Sequence, residues 1–550
     1  MRAEDYLKEQ ILKVLDSKGF SSGESWRIVL EKPKLAEHGD LATNIAMMLA
    51  SKLRRNPRGI AEEIVEAVEL EPTLVSKAEV AGDGFINFHL SEDYFREALK
   101  EILKKGENFG QSKWGKKQKV QIEFVSANPT GPLNVVSARA ATVGDVLANL
   151  FNAVGYDTQK EYYVNDAGHQ VRLLGMSVSA RYMELLRKAE ELPEDGYHGE
   201  YIVELAKEII DTQGDKFVAL DKETRWEQFS ALALEKIIAA QQKALENYRV
   251  HFDIWFRESK LRDRKAHLDI LDLLAQKGYL YEKDGAKWFK STLFDDEKDR
   301  VLLTKDGEPT YFLVDIAYHL DKYHRGFDKL YDLWGPDHHG YIDRMKAALV
   351  ALGYPKGSFE VIIIQQVNLL EKGTVIKMSK RAGKIIEMEE LIEEVGVDVA
   401  RFFFLTRRNQ SHLDFDLDLA KNTSEENPVF YVQYAHARVC NIIKYADEQG
   451  VVFSEQANLE LLKQIEEINL IKKLIEFPEV ISKAAEFLEP HRLPNYLQEL
   501  AAAFHRFYHH HRVVTEDKDL TQARLILVEC TRIVLANALK ILGITAPERM

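Results

Sequence analysis

The stretch Ile122–Asp145, IEFVSANPTGPLNVVSARAATVGD, constrains the fold of this chain more than any other. Its pattern predicts a buried strand over Val120–Val125, a turn rich in Pro and Gly over Asn128–Leu133, and then a helix that Ser137 caps. A helix that begins directly after a glycine-containing loop presents unpaired backbone N–H groups and the positive end of its dipole. Because both attract phosphate, the stretch predicts a nucleotide-binding turn at the end of a strand.

Strand-like and helical patterns alternate through the middle of the chain. The runs VQIEFV, KLYDLWG and FEVIIIQQV read as strands, and their alternation with helices favours a parallel sheet covered on both faces. Near the N-terminus the pattern predicts helices over Leu41–Leu53 and over Glu92–Lys105, the second capped by Ser91. Long helical patterns at about residues 170–255, the first over Val171–Leu192, predict a helical insertion, and from Leu419 onward the pattern is typical of a helical bundle. The predicted fold is multidomain, with an N-terminal α+β domain, a Rossmann-like α/β domain and an all-α bundle. The predicted boundaries are 1–110, 111–418 and 419–550.

Size and composition limit the class of protein. A chain of 550 residues is too long for one core, and its net charge of −14 argues against non-specific binding of nucleic acid by the whole surface. The sequence contains no apolar run of membrane-spanning length, which predicts that the chain has no membrane partner. Cys440 and Cys530 lie far apart in apolar helical patterns. They predict neither a disulfide framework nor a zinc cluster, and they indicate a reducing cytoplasm.

Six short strings occur in order along nearly the whole chain: EFVSANPTGPL, EYYVNDAGHQ, YFLVDIAYH, WGPDHHGYI, KMSKR and YVQYAHARV. Together they resemble the bacterial type of arginyl-tRNA synthetase, a class I aminoacyl-tRNA synthetase. The resemblance implies ATP-dependent attachment of L-arginine to its tRNA through an arginyl-adenylate, with transfer to the 2′-hydroxyl of the terminal adenosine. It also implies a tRNA-contacting N-terminal domain, an anticodon-binding bundle and a monomeric state. Two alternatives are a class I synthetase for another amino acid and a non-catalytic tRNA-binding paralogue.

The predicted arginine site has to hold a flat guanidinium, which offers only hydrogen-bond donors and so needs carboxylate and aromatic or amide partners. Tyr311 and Asp315 are four residues apart in a helical pattern, so they are predicted on one face. The resemblance makes them the guanidinium partners. An ion pair of Asp315 with Lys322 or Arg325 on the helix surface is the alternative. The resemblance also places at the substrate Glu123, Ser126, Asn128 and His338.

The predicted ATP site joins the nucleotide-binding turn to the distant KMSKR string. Phosphoryl transfer depends on positioning and on neutralising negative charge, and Lys377 and Lys380 suit the pyrophosphate. The resemblance makes these lysines transition-state stabilisers, and the alternative is a solvated basic loop. Mg²⁺ is predicted to accompany ATP, without a dedicated protein metal site. The remaining ATP contacts that the resemblance implies are Pro129, Gly131, Asn134, Ser137, Gly335, Asp337, His338, Met378 and Ser379.

One segment departs from the family pattern. The family usually carries His-x-Gly-His after the Pro-Leu, whereas this chain has Asn134, Val135, Val136 and Ser137. Asn134 and Ser137 keep hydrogen-bonding capacity and are retained here as catalytic candidates, but neither can become cationic. Three interpretations follow: an active natural variant, a weakened enzyme that relies on its lysines, or an inactive tRNA-binding paralogue.

Recognition of tRNA calls for exposed aromatic side chains together with Lys and Arg. Tyr431, Tyr434 and Arg438 are predicted on one face of a helix, and Phe507 lies in the ring-rich string FHRFYHHHRV. For these aromatic residues the alternative is a place in the helical core. By resemblance, the tRNA contacts also include Phe85, Asn87 and Met550.

Overall fold

The computed structural model describes residues 3–20, 26, 28–33, 35–376 and 386–550. Four predicted site residues, Lys377, Met378, Ser379 and Lys380, lie outside the described residues. The chain divides into two compact units: residues 1–109, 439–476 and 502–534 form the first, and residues 110–438, 477–501 and 535–550 form the second. Within the described ranges, no helix has both the length and the apolar character needed to cross a membrane.

The N-terminal part of the first unit packs helices against an antiparallel sheet of order β1–β3–β2. Its elements are α1 Ala3–Ser17, β1 Leu41–Thr43, α2 Ile45–Leu53, α3 Pro57–Ala67, β2 Val75–Ala81, β3 Phe85–Leu90 and α4 Glu92–Lys105. The predicted cap of α4 is confirmed, because Ser91 Oγ accepts a hydrogen bond from the Tyr94 N–H at 3.0 Å. The helix predicted to start at Leu41 begins only at Ile45, since Leu41–Thr43 pair with β3.

The second unit is built on a parallel sheet of order β11–β10–β4–β5–β6, as the alternating pattern predicts. Its strands are β4 Lys119–Glu123, β5 Asp157–Val164, β6 Ile254–Arg257, β10 Lys329–Trp334 and β11 Phe359–Ile363. The helices around it are α5 Val135–Ala153, α9 Ser259–Asp263, α10 Ala266–Gln276, α11 Tyr311–His324 and α12 Ile342–Leu352. Antiparallel strands between α10 and α11 are β7 Leu280–Lys283, β8 Ala286–Phe289 and β9 Arg300–Leu303.

The predicted helical insertion is confirmed between β5 and β6. It consists of α6 His169–Leu185, α7 Glu200–Gln213 and α8 Lys222–Asn247, which share an apolar core that includes Tyr182, Phe217 and Phe229. The first of these helices was predicted to reach Leu192, and that prediction is wrong. The helix ends at Leu185 because Arg187 adopts a left-handed φ of 60°.

The rest of the chain after β11 is mainly helical. The remaining elements are β12 Val367–Glu371, β13 Thr374–Val375, α13 Met388–Val395, α14 Val397–Phe404, β14 Leu413–Asp416, α15 Leu417–Lys421, α16 Pro428–Glu448, α17 Ile465–Ile475, α18 Phe477–Glu486, α19 Arg492–His510 and α20 Lys518–Leu542. In the second unit, residues 541–547 are held by hydrogen bonds from distant side chains. Asn149 and Arg401 donate to the carbonyls of Ile541 and Leu542 at 3.0 and 2.8 Å. On α16, His436 Nδ1 lies 2.9 Å from the Pro547 carbonyl oxygen.

Candidate active site

Three carboxylates lie side by side across the parallel sheet. Asp332 on β10 is the register partner of Glu123 on β4, which is in turn the register partner of Glu161 on β5. All three side chains are buried. We call Asp332, Glu123 and Glu161 the acidic row. Like charges at neighbouring positions of a sheet destabilise it, so the row requires compensating donors and cations.

Helix α11 supplies the cations and donors for one half of the row. Lys322 Nζ donates to Glu123 Oε2 at 2.7 Å and to Asp332 Oδ1 at 2.9 Å. His319 Nε2 lies 2.8 Å from Asp332 Oδ2, and its Nδ1 lies 2.8 Å from the Asp315 carbonyl oxygen. Lys322 is fully buried, so this single ammonium bridges two carboxylates from neighbouring strands.

The other half of the row is compensated from the same helix and its end. Arg325 makes two hydrogen bonds to Glu161, at 2.5 and 3.0 Å, and the Tyr318 hydroxyl donates to Glu161 Oε1 at 2.5 Å. Residues 318, 319, 322 and 325 recur at the spacing of one helical face. The face of α11 turned to the sheet is therefore polar, and it fixes the helix in one register over the strand ends.

The ionisation states follow from burial and from these partners. Burial opposes charge on Lys322, yet Asp332 and Glu123 raise its pKa. Burial also acts against the charge of Asp332, but Lys322 and His319 hold its pKa at about 2. The pKa of Glu123 is raised, first by burial and then by Asp332, although Lys322 counteracts the shift. Lys322 and Asp332 thus form a charged pair, and a further cation near Glu123 would favour the charged form of that carboxyl.

Asp315 lies one helical turn before His319 and is half-buried. The Tyr341 hydroxyl donates to Asp315 Oδ2 at 2.7 Å. Burial raises the pKa of Asp315 to about 6, while the Tyr341 hydrogen bond opposes the shift. The alternative ion pair of Asp315 with Lys322 or Arg325 is not formed, because those two side chains bind the acidic row. Asp315 is therefore a carboxylate without a basic partner among the described residues.

Further acidic and aromatic groups surround Asp315. The pKa of Tyr163 on β5 is raised by burial, by Glu258, by Asp315 and more weakly by Glu123, so these groups lie close together. Ser126 joins them to the loop after β4, since its Oγ donates to Glu123 Oε1 at 2.9 Å and accepts from the Tyr163 N–H at 3.1 Å. These acidic and hydroxyl groups cluster at the carboxyl end of the sheet, where α/β folds bind ligands, and we call the cluster the acidic pocket. Its chemistry suits a ligand that carries an ammonium and a guanidinium.

Other residues predicted for the arginine site lie nearer to solvent. The Tyr311 ring is 77% exposed at the first residue of α11, so it does not line the buried part of the pocket. Asn128 is exposed, as is His338. His338 lies in the 3-10 helix Pro336–Tyr341, which ends at the hydrogen-bond partner of Asp315.

The loop after β4 begins with an unusual backbone. The strand ends at Glu123, two residues earlier than predicted, because Val125 and Ser126 adopt left-handed φ values of 66° and 39°. A β-branched residue such as Val125 rarely adopts a positive φ, and strained backbone of this kind concentrates at functional sites. The turn leads the chain out of the sheet, and Ser126 bonds both Glu123 and β5 immediately after it.

The prediction that Ser137 caps the next helix is wrong. Helix α5 begins at Val135, and its N-cap is Asn134, whose Oδ1 accepts from the Ser137 N–H at 3.1 Å. Asn and Ser are equally good caps, and the earlier residue takes the position here. Asn134 and Ser137, which replace the two histidines of the family signature, are thus hydrogen-bonded to each other at the start of α5.

The chain after the KMSKR string returns to this helix start. Glu387 forms an antiparallel bridge with Asn134, and the Met388 N–H donates to the Leu133 carbonyl at 2.8 Å. Residues 386–388 directly follow the undescribed residues 377–385. Glu387 and Met388, which follow the KMSKR string in the chain, are therefore joined by their backbone to the residues at the start of α5.

The remaining predicted ATP residues are divided between two neighbouring strand ends. Pro129 is buried and Gly131 half-buried in the loop after β4, whereas Gly335 is half-buried and Asp337 exposed after β10. Among the described residues, no group of three or more His, Cys, Asp or Glu side chains could hold a metal ion.

The predicted tRNA contacts differ in exposure. Phe85 is 43% exposed and Met550 is 56% exposed, but Asn87 and Phe507 are buried at 3% and 0%. The prediction for Phe507 is therefore wrong, because its side chain faces the helical core, whereas Asn87 lies in the central strand β3 two residues after the exposed Phe85, and its contact with tRNA stays a prediction. The other three candidates are half-buried on α16, with the Arg438 guanidinium 4.4 Å from the centre of the Tyr434 ring; they are Tyr431, Tyr434 and Arg438.

Several residues of the site were not predicted. The residues that the sequence did not predict are three carboxylates, two tyrosines, one histidine and one lysine: Glu161, Glu258, Asp332, Tyr163, Tyr341, His319 and Lys322. A signal was present, since polar residues recur along one face of the otherwise apolar helix α11.

Comparisons with known proteins identify the family of the chain. Three family models match consecutive parts of the chain: the arginyl tRNA synthetase N terminal domain at residues 5–90, the class I (R) tRNA synthetase catalytic domain at 98–438, and the DALR anticodon binding domain at 432–550. The arginine–tRNA ligase of Carboxydothermus hydrogenoformans is 49% identical over 523 residues, which cover 95% of this chain and 94% of that protein. That of Bacillus subtilis is 46% identical over 548 residues, covering 99% of each.

A solved structure shares the fold. Arginyl-tRNA synthetase from Thermus thermophilus superposes with a TM-score of 0.79 at 23% identity, covering 99% of this chain and 100% of that one. Neither alternative interpretation, a synthetase for another amino acid or a non-catalytic paralogue, is favoured by these comparisons. The acidic pocket, the backbone contact between Leu133 and Met388 and the matches over nearly the full length lead to one conclusion: the chain belongs to the arginyl-tRNA synthetases, class I enzymes that ligate arginine to tRNA.

Proposed function

We propose that the acidic pocket binds L-arginine with its guanidinium on Asp315 and its α-amino group at Glu123. The observation that carries this proposal is the state of Asp315: a half-buried carboxylate, oriented by Tyr341 and lacking a basic partner among the described residues. A guanidinium makes paired hydrogen bonds to such a group. Ser126, Asn128, Tyr311 and His338 complete the arginine site at the more exposed end of the pocket.

ATP binds beside this pocket, between the loop after β4 and the loop after β10. Pro129, Gly131, Asn134 and Ser137 contact it from the first loop, and Gly335, Asp337 and His338 from the second. Support comes from the positive end of the α5 dipole and from the bond between Leu133 and Met388, which brings the chain after KMSKR to this point. Lys377, Met378, Ser379 and Lys380 complete the ATP site.

The reaction has two steps. The carboxylate of arginine attacks the α-phosphorus of ATP, and pyrophosphate leaves while Lys377 and Lys380 neutralise its growing charge. The 2′-hydroxyl of the terminal adenosine of tRNA then attacks the acyl carbon, losing its proton as AMP leaves with the shared electron pair. Mg²⁺ that arrives with ATP would hold phosphate oxygens and waters, without a dedicated site on the protein.

Asn134 and Ser137 take the place of the two signature histidines in this proposal, and the chain is an active variant. Asn134 fixes the first turn of α5 through the Ser137 N–H, so both side chains are held where the helix meets the nucleotide. Neither can carry a positive charge, which leaves neutralisation of the phosphates to the two lysines.

Recognition of tRNA is divided between the ends of the chain. Phe85 serves the N-terminal domain, and Tyr431, Tyr434, Arg438 and Met550 serve the anticodon-binding domain. The functional boundaries that we propose, 1–110, 111–418 and 419–550, are supported by family models at 5–90, 98–438 and 432–550. We further propose a monomer in a reducing cytoplasm, in keeping with the two free cysteines, Cys440 and Cys530.

A charging assay tests the proposal. The purified chain is incubated with ATP, Mg²⁺, bulk tRNA and one labelled amino acid at a time, and label that precipitates with tRNA is counted. We expect charging with arginine and none with lysine, because an ammonium cannot make the paired hydrogen bonds of a guanidinium. Equal charging with both, or charging with a different amino acid alone, would contradict the assignment of Asp315. No charging at all would contradict the active-variant interpretation of Asn134 and Ser137.

A further inference from the structure

Two side chains of the helical insertion hold the backbone of the nucleotide loop, which we define as residues 126–134. The Tyr201 hydroxyl, on α7, donates to the Thr130 carbonyl at 2.7 Å. Gln241 Nε2, on α8, donates to the Gly131 carbonyl at 2.8 Å and to the Asn128 carbonyl at 3.3 Å. Three carbonyls of the loop therefore depend on donors that the insertion supplies.

Gln241 is itself fixed from the sheet. The Tyr162 hydroxyl, on β5, lies 3.0 Å from both Gln241 Oε1 and the Ala127 carbonyl oxygen, which share its one proton as acceptors. Gln241 and Tyr162 are 2% and 0% exposed. The Tyr162 ring stacks on Trp255 at a centroid distance of 4.2 Å. Because a buried amide that loses a partner costs free energy, these contacts leave Gln241 one orientation, with its donors directed to the loop.

The loop and the insertion also fit closely at Gly131. A Cβ atom added to this glycine would lie 3.2 Å from the Tyr201 hydroxyl oxygen and 3.3 Å from the ring carbon that bears it. Both distances are tighter than ordinary van der Waals contact. Gly131 thus permits the approach of Tyr201, and the spacing between loop and insertion is set by that contact.

We infer that the helical insertion positions the nucleotide loop for ATP through Gln241 and Tyr201. Carbonyl oxygens repel phosphate, and hydrogen bonds that draw them toward the insertion leave the N–H groups of the loop and of α5 for the anion. Both residues act through the loop backbone, so they are positioning residues. The inference rests on the proposed function, because it takes this loop as the ATP site.

Three variants test the inference. Gln241→Met keeps the volume of the side chain and removes its donors, and Tyr201→Phe removes one hydroxyl. Tyr182→Phe is the matched control: the Tyr182 hydroxyl is also buried in the insertion and donates to a carbonyl, that of Gly214, at 2.7 Å. Two quantities are measured for each protein. Calorimetry without arginine and tRNA, so that no reaction takes place, gives the Kd for ATP, and amide hydrogen exchange followed by mass spectrometry gives the protection of residues 126–134.

We expect Gln241→Met to raise the Kd for ATP by about tenfold and Tyr201→Phe by about fivefold, the sizes that loss of buried hydrogen bonds produces. Both variants should speed exchange in the loop and change the Kd for arginine less than about twofold, whereas Tyr182→Phe should alter neither quantity. An unchanged Kd for ATP in the first two variants, or an equal change in the control, would overturn the inference. Wild-type protein that binds ATP but charges no arginine would contradict the proposed function alone, because neither readout requires turnover.

Discussion

Glu123 and Asp332 are register partners on adjacent parallel strands, and one buried ammonium, that of Lys322, bridges their carboxylates at 2.7 and 2.9 Å. Asp332 also binds His319, whereas Glu123 extends toward the loop after β4 through Ser126. A single cation thus neutralises two carboxylates at the carboxyl end of the sheet. The arrangement leaves Glu123 able to accept one more cation, and in the arginine site that we propose this cation is the α-amino group.

Removing the bridging ammonium should destabilise the protein strongly. Lys322→Met leaves two buried carboxylates side by side, and we expect a loss of about 3–5 kcal/mol in the free energy of unfolding. Denaturant unfolding measures this loss. Lys356→Met is the control, because the Lys356–Asp295 pair is 85% and 86% exposed and should contribute less than about 0.5 kcal/mol. Similar losses in both variants would show that the buried bridge stabilises the protein no more than an exposed ion pair does.

Asp315→Asn tests the guanidinium site. The amide keeps the shape of the carboxylate but removes its charge and half of its acceptors, so we expect the KM for arginine to rise by about 100-fold or more. The KM for ATP should change little. Steady-state charging at saturating tRNA gives both values, with Asp272→Asn, an exposed carboxylate on α10, as the charge-matched control. A rise in the KM for ATP alone would show that Asp315 contacts ATP and not arginine.

The same carboxyl should make stability depend on pH. Its pKa is raised from 3.8 to about 6 on folding, so the folded state binds the proton more tightly than the unfolded state. The resulting stability is fully present below about pH 4 and is lost as the pH rises through about 6. We therefore expect the free energy of unfolding of Asp315→Asn to increase relative to that of wild type as the pH rises from 4 to about 7. Chemical denaturation at several pH values measures this difference, and a difference that does not change with pH would contradict the raised pKa.

Two substitutions of Asn134 should separate its role as a helix cap from the effect of a charge at this position. Asn134→Ala removes the acceptor for the Ser137 N–H, and we expect a loss of about 1 kcal/mol of stability. Asn134→Asp keeps the cap and adds a negative charge beside the phosphates, so stability should hold while the KM for ATP rises severalfold. Thermal unfolding and charging assays report the two effects. An unchanged KM for ATP in the aspartate variant would show that the nucleotide does not bind at the start of α5.

Phe85 and Phe507 should respond in opposite ways to truncation. Phe85→Ala removes an exposed ring from the N-terminal part, and we expect the KM for tRNA to rise about fivefold without loss of stability. Phe507→Ala empties a buried position and should cost about 3–5 kcal/mol of stability. Charging at varied tRNA and denaturant unfolding distinguish these outcomes. Leu293→Ala, which truncates another exposed apolar side chain at 64% exposure, controls for surface effects on tRNA binding.

Local patterns predicted the elements of the fold well, because helix and strand periodicity depend on neighbours in the chain. The helix Glu92–Lys105 with its Ser91 cap agrees residue for residue. The predicted cap of α5 was Ser137, whereas the observed cap is Asn134. Both residue types cap helices well, so only the backbone geometry distinguishes them.

Contacts between distant residues could not be predicted in this way. Lys322 follows Asp315 at helical spacing and was considered as its ion-pair partner, but it binds carboxylates on β4 and β10 instead. The register that aligns Asp332, Glu123 and Glu161 arises only when the sheet forms. Phe507 was misassigned for a related reason, since rings at helical spacing look the same in a core and in an RNA-binding face.

The hydrogen bonds that hold residues 541–547 have a consequence for synthesis of the protein. Asn149 and Arg401 reach the carbonyls of Ile541 and Leu542, so helices α5 and α14 lack these partners until that segment emerges from the ribosome. Domains generally fold in the order of synthesis, but the second unit cannot complete its structure early. Ile541 follows Asn149 by 392 residues and Leu542 follows Arg401 by 141, so both helices remain incompletely packed while the intervening residues are translated.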